Sequence, residues 1–274
     1  MSRLPGVSGE RIPAVLSIAG SDSGGGAGIQ ADLKALARCG VHGMTAITAI
    51  TAQSTVGVEA VEAVSPEMII AQIGAVADDI GVDAIKIGML GTAETIEAVV
   101  AGISLLVDEV PVVVDPVMVA ESGAVLLDPE AREALIVRLL PLATVLTPNI
   151  PEAIALTGVE APYSQDDLAR EALALGPRAV VVTGGHSERL VDLFFDGREA
   201  VEIGGERHPQ GAAHGSGCTH SSALAAFLAL GEEPLDAARR AHEVASSAVA
   251  HGLGGIGAGP GPVDVFGLAR GRPQ

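Results

Sequence analysis

The chain has 274 residues, 48% of them hydrophobic, with 35 glycines and a formal net charge of −18. Such an acidic balance excludes a nucleic-acid surface or an anionic-membrane surface, both of which need clustered Lys and Arg. Two cysteines, Cys39 and Cys218, exclude a disulfide framework and a zinc quartet, and aromatics at 2% leave the core to Ala, Val, Leu and Ile.

Residues 1–13 read as an irregular N-terminus, followed by one domain over 14–268. Ala14–Ile18 is a short apolar strand. It runs into a glycine loop, residues 19–28, and a helix from Ile29 to Arg38 closed by Gly40. The loop lacks the Gly-Lys-Ser/Thr of a Walker loop, and Ile29 breaks the dinucleotide fingerprint. Met44–Thr51 is rich in β-branched residues, and Val56–Val64 alternates as a half-exposed strand. Helices are predicted from Pro66 to about Asp78 and from Thr92 to about Val107, on either side of the strand Ala84–Ile87. The strand Val110–Val114 precedes a helix from Pro129 to Leu140, and Ala143–Leu146 precedes a short helix to Thr157. A helix over 166–175 leads to the strand Ala179–Val182, then a hairpin turning at Asp196-Gly197. The apolar run Ala223–Leu230 ends at Gly231 as a buried helix, and a last helix spans Pro234 to His251.

Apolar strands alternating with helices of roughly 10 to 15 residues predict a mostly parallel sheet covered on both faces. Polar and glycine residues collect at the carboxyl ends of its strands, where open α/β sheets bind ligands. Gly252–Gly257 matches Gly-x-Gly-x-x-Gly, but it follows a helix rather than a strand. Gly20-Ser-Asp-Ser-Gly24 misplaces its serine for a nucleophile elbow.

The stretch His214-Gly-Ser-Gly-Cys-Thr219 carries the sharpest signal. Gly215 and Gly217, just ahead of a helix, leave backbone N–H groups unshielded at the positive end of its dipole. That is an anion site, suited to a phosphoryl group. Cys218 at the same helix start is expected to have a lowered thiol pKa. Asp115 and Glu152 are acids at neighbouring strand ends, with Asn149 beside them, and such oxygens suit Mg²⁺. Helix capping by Asn149 and Glu152 accounts for those two residues equally well. Gln53 could read a heterocycle edge, Met89 could pack a flat ring, and Asp32 could bond a ring amine or remain a solvated helix acid. Seven histidines show no metal-ligand spacing, although His214 and His220 flank the anion loop.

Together, residues 17–34, Ile50–Thr55, Lys86–Leu90, Asp115–Gly123, Leu146–Asn149, Gly184–His186 and His214–Thr219 resemble the hydroxymethylpyrimidine/phosphomethylpyrimidine kinases of thiamin biosynthesis. The resemblance covers about 14–266 and implies a ribokinase-like fold. It implies ATP and Mg²⁺ as cofactors, and phosphorylation of the pyrimidine alcohol and then of its monophosphate. On matching positions, Gln53, Asp32, Gly20, Met89 and Val117 would meet the pyrimidine, and Asn149, Thr183 and Gly185 the nucleotide. Gly215, Ser216, Gly217 and Cys218 would form the anion hole, with Cys218 as the candidate proton acceptor. Asp115 and Glu152 would hold Mg²⁺ directly or through water. A cytoplasmic homodimer is expected, with no nucleic-acid or membrane partner.

Three positions depart from the pattern: Glu121 and Thr183 stand where many relatives carry Lys, and Ala212-Ala213 where many carry Asn-Thr. The rival readings are a pyridoxal or pyridoxine kinase and a non-catalytic pyrimidine sensor. An NAD(P)H-hydrate dehydratase of the same fold would be expected to carry Asp at position 218.

Overall fold

The structure is a computed structural model and describes residues 11–106, 109–119, 123, 126–185, 190–209 and 211–269. Nine strands form one sheet in the order β3-β2-β1-β4-β5-β6-β7-β8-β9. The central strands are β1 (Ala14–Asp22), β2 (His42–Ser54), β4 (Ala84–Ile87), β5 (Val112–Val114), β6 (Val145–Leu146) and β7 (Ala179–Val182). These six are parallel to one another. β3 (Gly57–Ala63), β8 (Val191–Phe195) and β9 (Ala200–Gly204) are antiparallel additions at the two edges.

Successive side chains on a strand point to opposite faces, and here both faces are apolar. Leu16, Ile85, Val114, Leu146 and Val180 enter one core; Val15, Ala84, Val113, Val145 and Val181 enter the other. The first core is covered by α2 (Pro66–Asp79), α3 (Ala93–Ile103), α4 (Pro129–Ala134), α5 (Ile150–Thr157) and α6 (Gln165–Ala174). The second is covered by α1 (Gly28–Arg38), α7 (Ser216–Ala229) and α8 (Pro234–Ala250). α4 continues through a π-helical turn, Leu135–Leu139, and a 3-10 turn, Leu140–Leu142.

Most predicted elements are found, with shifted ends. β1 runs on through Asp22 instead of stopping at Ile18, because Ser21 and Asp22 still pair with Ile50 and Thr51 of β2. α3 ends at Ile103, short of the predicted Val107. α7 begins at Ser216, so Gly217 lies inside its first turn rather than ahead of it. The Asp196-Gly197 hairpin forms, with Gly197 at φ +86°. Among the described residues, no helix is long and apolar enough to cross a membrane.

The chain leaves β1 for β2 on one side, then returns to place β4 on the other side of β1. Such a reversal opens a crevice beyond the strand ends, the usual ligand position in this class of sheet.

Candidate active site

A cavity of about 510 Å³ lies along those strand ends. At the β1–β2–β4 end it is lined by Gly20, Gln53 and Met89; further along by Asp115, Val117, Asn149, Glu152 and Thr183; and over the top by Gly215, Ser216, Gly217 and Cys218. Twelve of the fourteen residues expected at a site therefore line one cavity. Asp32 and Gly185 do not line it.

Two glycine loops make its upper wall. Asp22 organises the first: its carboxylate accepts from Gly24 N at 2.7 Å, Ala27 N at 2.8 Å and Gly26 N at 3.0 Å. His214 Nε2 approaches the same carboxylate at 3.4 Å. Burial works to raise the Asp22 pKa, but His214 and the N–H groups overcome it and hold the carboxyl below its usual range. The second loop turns at Gly215, whose φ of +83° is open to glycine at little cost. A Cβ on Gly215 would lie 1.8 Å from the Gly26 carbonyl oxygen, so the two loops touch backbone to backbone.

Past that turn, Ser216 N–H donates to Ala213 O and Thr219 N–H to Gly215 O. The N–H groups of Gly217 and Cys218 have no acceptor among the described residues. Two free donors in a helix first turn, facing a cavity, form an anion site.

The Cys218 thiol does not behave as the helix-start argument predicts. Burial pushes it up to about 12; Lys86 opposes this, while Asp32 and Asp115 add to it. Desolvation is the largest influence on the thiol and outweighs what Lys86 and the Gly28 N–H offer its charged form.

Asp32 is corrected in a similar way. It is fully buried beneath the cavity, neither solvated nor facing a ligand. Its carboxylate holds Lys86 Nζ at 2.9 Å and accepts from Ser17 Oγ at 2.6 Å and Ser222 Oγ at 2.8 Å. Lys86 is equally buried and lies 4.0 Å from Asp115 Oδ2. Burial works to discharge this lysine, but the Asp32 carboxylate first, with Asp115, keeps it protonated. Gly185 is exposed, past the end of β7, which removes it from the cavity wall.

Asn149 and Glu152 form a complete capping box: Asn149 Oδ1 accepts from Glu152 N at 2.8 Å, and Glu152 Oε2 accepts from Asn149 N at 2.9 Å. Capping and cavity lining therefore coincide in the same two side chains. Burial first, then the nearby Asp115, raises the Glu152 carboxyl to about 8. Burial likewise raises Asp115, against the pull of Lys86 and of Ser221 Oγ at 2.9 Å. Lys86 is shared between Asp115 and the closer Asp32, so these two cavity acids have less than one cation between them. Among the described residues, no group of three or more His, Cys, Asp or Glu could form a metal cage. A pair of carboxylates fits Mg²⁺, which keeps waters and takes further oxygens from phosphates.

At the other end, Met89 Sδ would lie 3.2 Å from a Cβ on Gly20, so thioether and bare backbone pack together. Gln53 Oε1 accepts from Thr51 Oγ1 at 3.1 Å, leaving its amide nitrogen without a partner among the described residues.

Sequence reasoning missed three residues. Asp22 had a readable signal, an Asp directly before Ser-Gly-Gly-Gly, the composition of an Asx turn. Lys86 had a weaker one, a lone lysine between two isoleucines in a buried strand. His220, set aside at the sequence level, lines the cavity. Glu121 and His186 lie outside the described residues.

The family model for phosphomethylpyrimidine kinase matches residues 22–264. A hydroxymethylpyrimidine/phosphomethylpyrimidine kinase from Rhizobium meliloti is 50% identical over 258 residues, covering 92% of this chain and 96% of that relative. A crystal structure of phosphomethylpyrimidine kinase from Clostridium difficile superposes with TM-score 0.74 at 43% identity, covering 84% of this chain and 96% of that one. A pyridoxal kinase from Bacillus subtilis, solved as an ADP complex, gives TM-score 0.84 at 38% identity, covering 94% of this chain and 99% of that one.

Proposed function

We infer the reaction from one premise: the chain belongs to the phosphomethylpyrimidine kinase family, ribokinase-like ATP-dependent kinases of thiamin biosynthesis. It transfers the γ-phosphoryl group of ATP to the hydroxymethyl oxygen of 4-amino-5-hydroxymethyl-2-methylpyrimidine, and a second phosphoryl group to the resulting monophosphate. The observation that carries this reading is the pair of free N–H groups at Gly217 and Cys218, facing a cavity whose far end offers Gln53, Gly20 and Met89.

Phosphoryl transfer needs positioning and stabilisation of charge on the moving group's oxygens. Gln53 orients the ring through its free amide, while Met89, Gly20 and Val117 pack its faces. In each transfer the acceptor oxygen forms a bond to phosphorus as the bond from phosphorus to ADP breaks. The N–H groups of Gly217 and Cys218 take the developing negative charge, and being fixed by the helix start they need no rearrangement to do so. Cys218 enters as a neutral thiol that already carries its proton, so only its minor thiolate form, which Lys86 favours, can take the proton of the pyrimidine alcohol. The backbone therefore carries more of the catalysis than the thiol. Asp115 and Glu152 would hold Mg²⁺ directly or through water, and the ion would neutralise phosphate charge. Asn149 and Thr183 meet the nucleotide. The protein acts as a homodimer in the cytoplasm.

Incubation with Mg-ATP and each of hydroxymethylpyrimidine, its monophosphate and pyridoxal, with products read by mass spectrometry, tests this. The mono- and diphosphate are expected. No product from either pyrimidine would overturn the reading. A pyridoxal-only product would favour the second reading, which the likeness to the Bacillus subtilis pyridoxal kinase supports.

A further inference from the structure

One side chain in the cavity wall is buried with nothing to bond. His220, in the second turn of α7, is 4% exposed and lines the cavity. Neither Nδ1 nor Nε2 has a hydrogen-bond partner among the described residues. Buried polar atoms are nearly always paired, so an imidazole with both nitrogens empty needs a reason.

Its surroundings narrow the choice. α7 fans out three consecutive side chains. Ser222 bonds Asp32 of α1, and Ser221 bonds Asp115 beyond β5. His220 turns the other way, toward Asp192 of β8 and His242 of α8, its charged neighbours. Those two already hold each other, His242 Nδ1 to Asp192 Oδ2 at 2.7 Å. The other oxygen of Asp192 accepts from Gly184 N at 2.8 Å, directly after the cavity residue Thr183. Two histidines and an aspartate might suggest a metal, but they are not placed to hold one. The remaining partner for His220 is a ligand in the cavity, on the Thr183 side. Gly20, Gln53 and Met89 stand at the β1–β2–β4 end, with β5 and β6 lying between β4 and β7. A ligand atom that meets His220 therefore belongs to the second substrate rather than to the pyrimidine.

We infer that His220 is a nucleotide-binding residue, donating from a ring nitrogen to a phosphate oxygen of the bound nucleotide beside the transferred group. This rests on the kinase reading above. Burial keeps the ring neutral against the pull of Asp192, and a neutral imidazole still has one N–H to donate. The donor comes from α7 itself, the helix whose first turn receives the phosphoryl group, so both contacts share one rigid element.

Calorimetric titration separates the possibilities. A non-hydrolysable Mg-ATP analogue and hydroxymethylpyrimidine are each titrated into the unaltered protein, His220→Leu and His220→Gln. His220→Leu should lose roughly tenfold in analogue affinity, equal to about 1.4 kcal/mol. Its pyrimidine affinity should stay within about twofold, well inside that difference. It should melt no lower than the parent, since two unmet polar atoms are removed. His220→Gln, with an amide donor, should recover most of the analogue affinity. Unchanged analogue binding in His220→Leu overturns the inference, as does equal loss of both ligands in both variants. If the unaltered protein fails to bind the analogue, the kinase reading itself falls and this inference with it.

Discussion

The two sides of α7 differ in how completely they are paired. Toward α1 and β5, Ser222 and Ser221 reach Asp32 and Asp115, and Asp32 in turn holds Lys86 and Ser17. Toward β8 and α8, both nitrogens of His220 are without a partner among the described residues. The first side is finished before any substrate arrives. It fixes the height and angle of the helix start, and so of the Gly217 and Cys218 donors. The second side is left open, and ligand is what completes it. Preorganisation and binding thus divide along a single helix.

The strongest way to break this contrast is Lys86→Met. It leaves the buried Asp32 carboxylate without its cation, which should cost about 3–5 kcal/mol of folding stability. Denaturant unfolding checks this. A loss below about 1 kcal/mol, the size of an exposed pair, would mean that the finished side is not holding the fold.

Cys218→Ala tests the donors that this side supports. It keeps the backbone N–H and removes the thiol. Turnover should fall about 100-fold, the low end for loss of a general base, because the thiol starts out protonated. The KM for the pyrimidine should barely move. An unchanged kcat would leave Cys218 as packing alone.

Gln53→Ala is milder and lies far from α7. It should raise the pyrimidine KM about tenfold, the worth of one good hydrogen bond, with kcat preserved. A pyrimidine affinity equal to the parent's would remove Gln53 from the ring site.

The last test reads a slope rather than a single value. Glu152 ordinarily titrates at 4.5 but is raised to about 8 in the fold. Between those values the unfolded chain has released its proton while the folded protein retains it. Stability of the metal-free protein should therefore fall as pH rises through that window and level off above it. Asp115, also raised, adds to the same trend. Melting temperature against pH in metal-free buffer measures the slope, and Glu152→Gln should flatten it. A variant with the parent's slope would assign the effect elsewhere.

Much of the fold was legible because its signals are local. Runs such as Val112–Val114 and Ala179–Val182 are short, β-branched and apolar on both faces, as buried parallel strands must be. Asp196-Gly197 specified its hairpin through the backbone angles that the turn demands. The turn at Gly215 was legible for the same reason, its φ of +83° being one that glycine adopts at little cost. What stayed hidden depends on long-range neighbours. Asp32 looked like a surface acid on an amphipathic helix until Lys86, 54 residues on, was found against it. The Cys218 thiol was misjudged because helix position is a local signal and burial is not. His220 was visible as a histidine flanking the anion loop, but its burial with both nitrogens unmet depends on neighbours in β8 and α8 that no local pattern shows.

The backbone contact between Gly26 and Gly215 has a consequence for synthesis. Asp22 and His214, which meet at the same junction, are 192 residues apart in sequence. A growing chain can complete β1, its glycine loop and most of the sheet with only half of a cavity. The upper wall arrives with the last quarter of the polypeptide and closes a loop of 192 residues. A chain cut short before Gly215 would thus keep most of the strands while lacking the place where the phosphoryl group would sit. Competence is the last property this protein acquires as it is made.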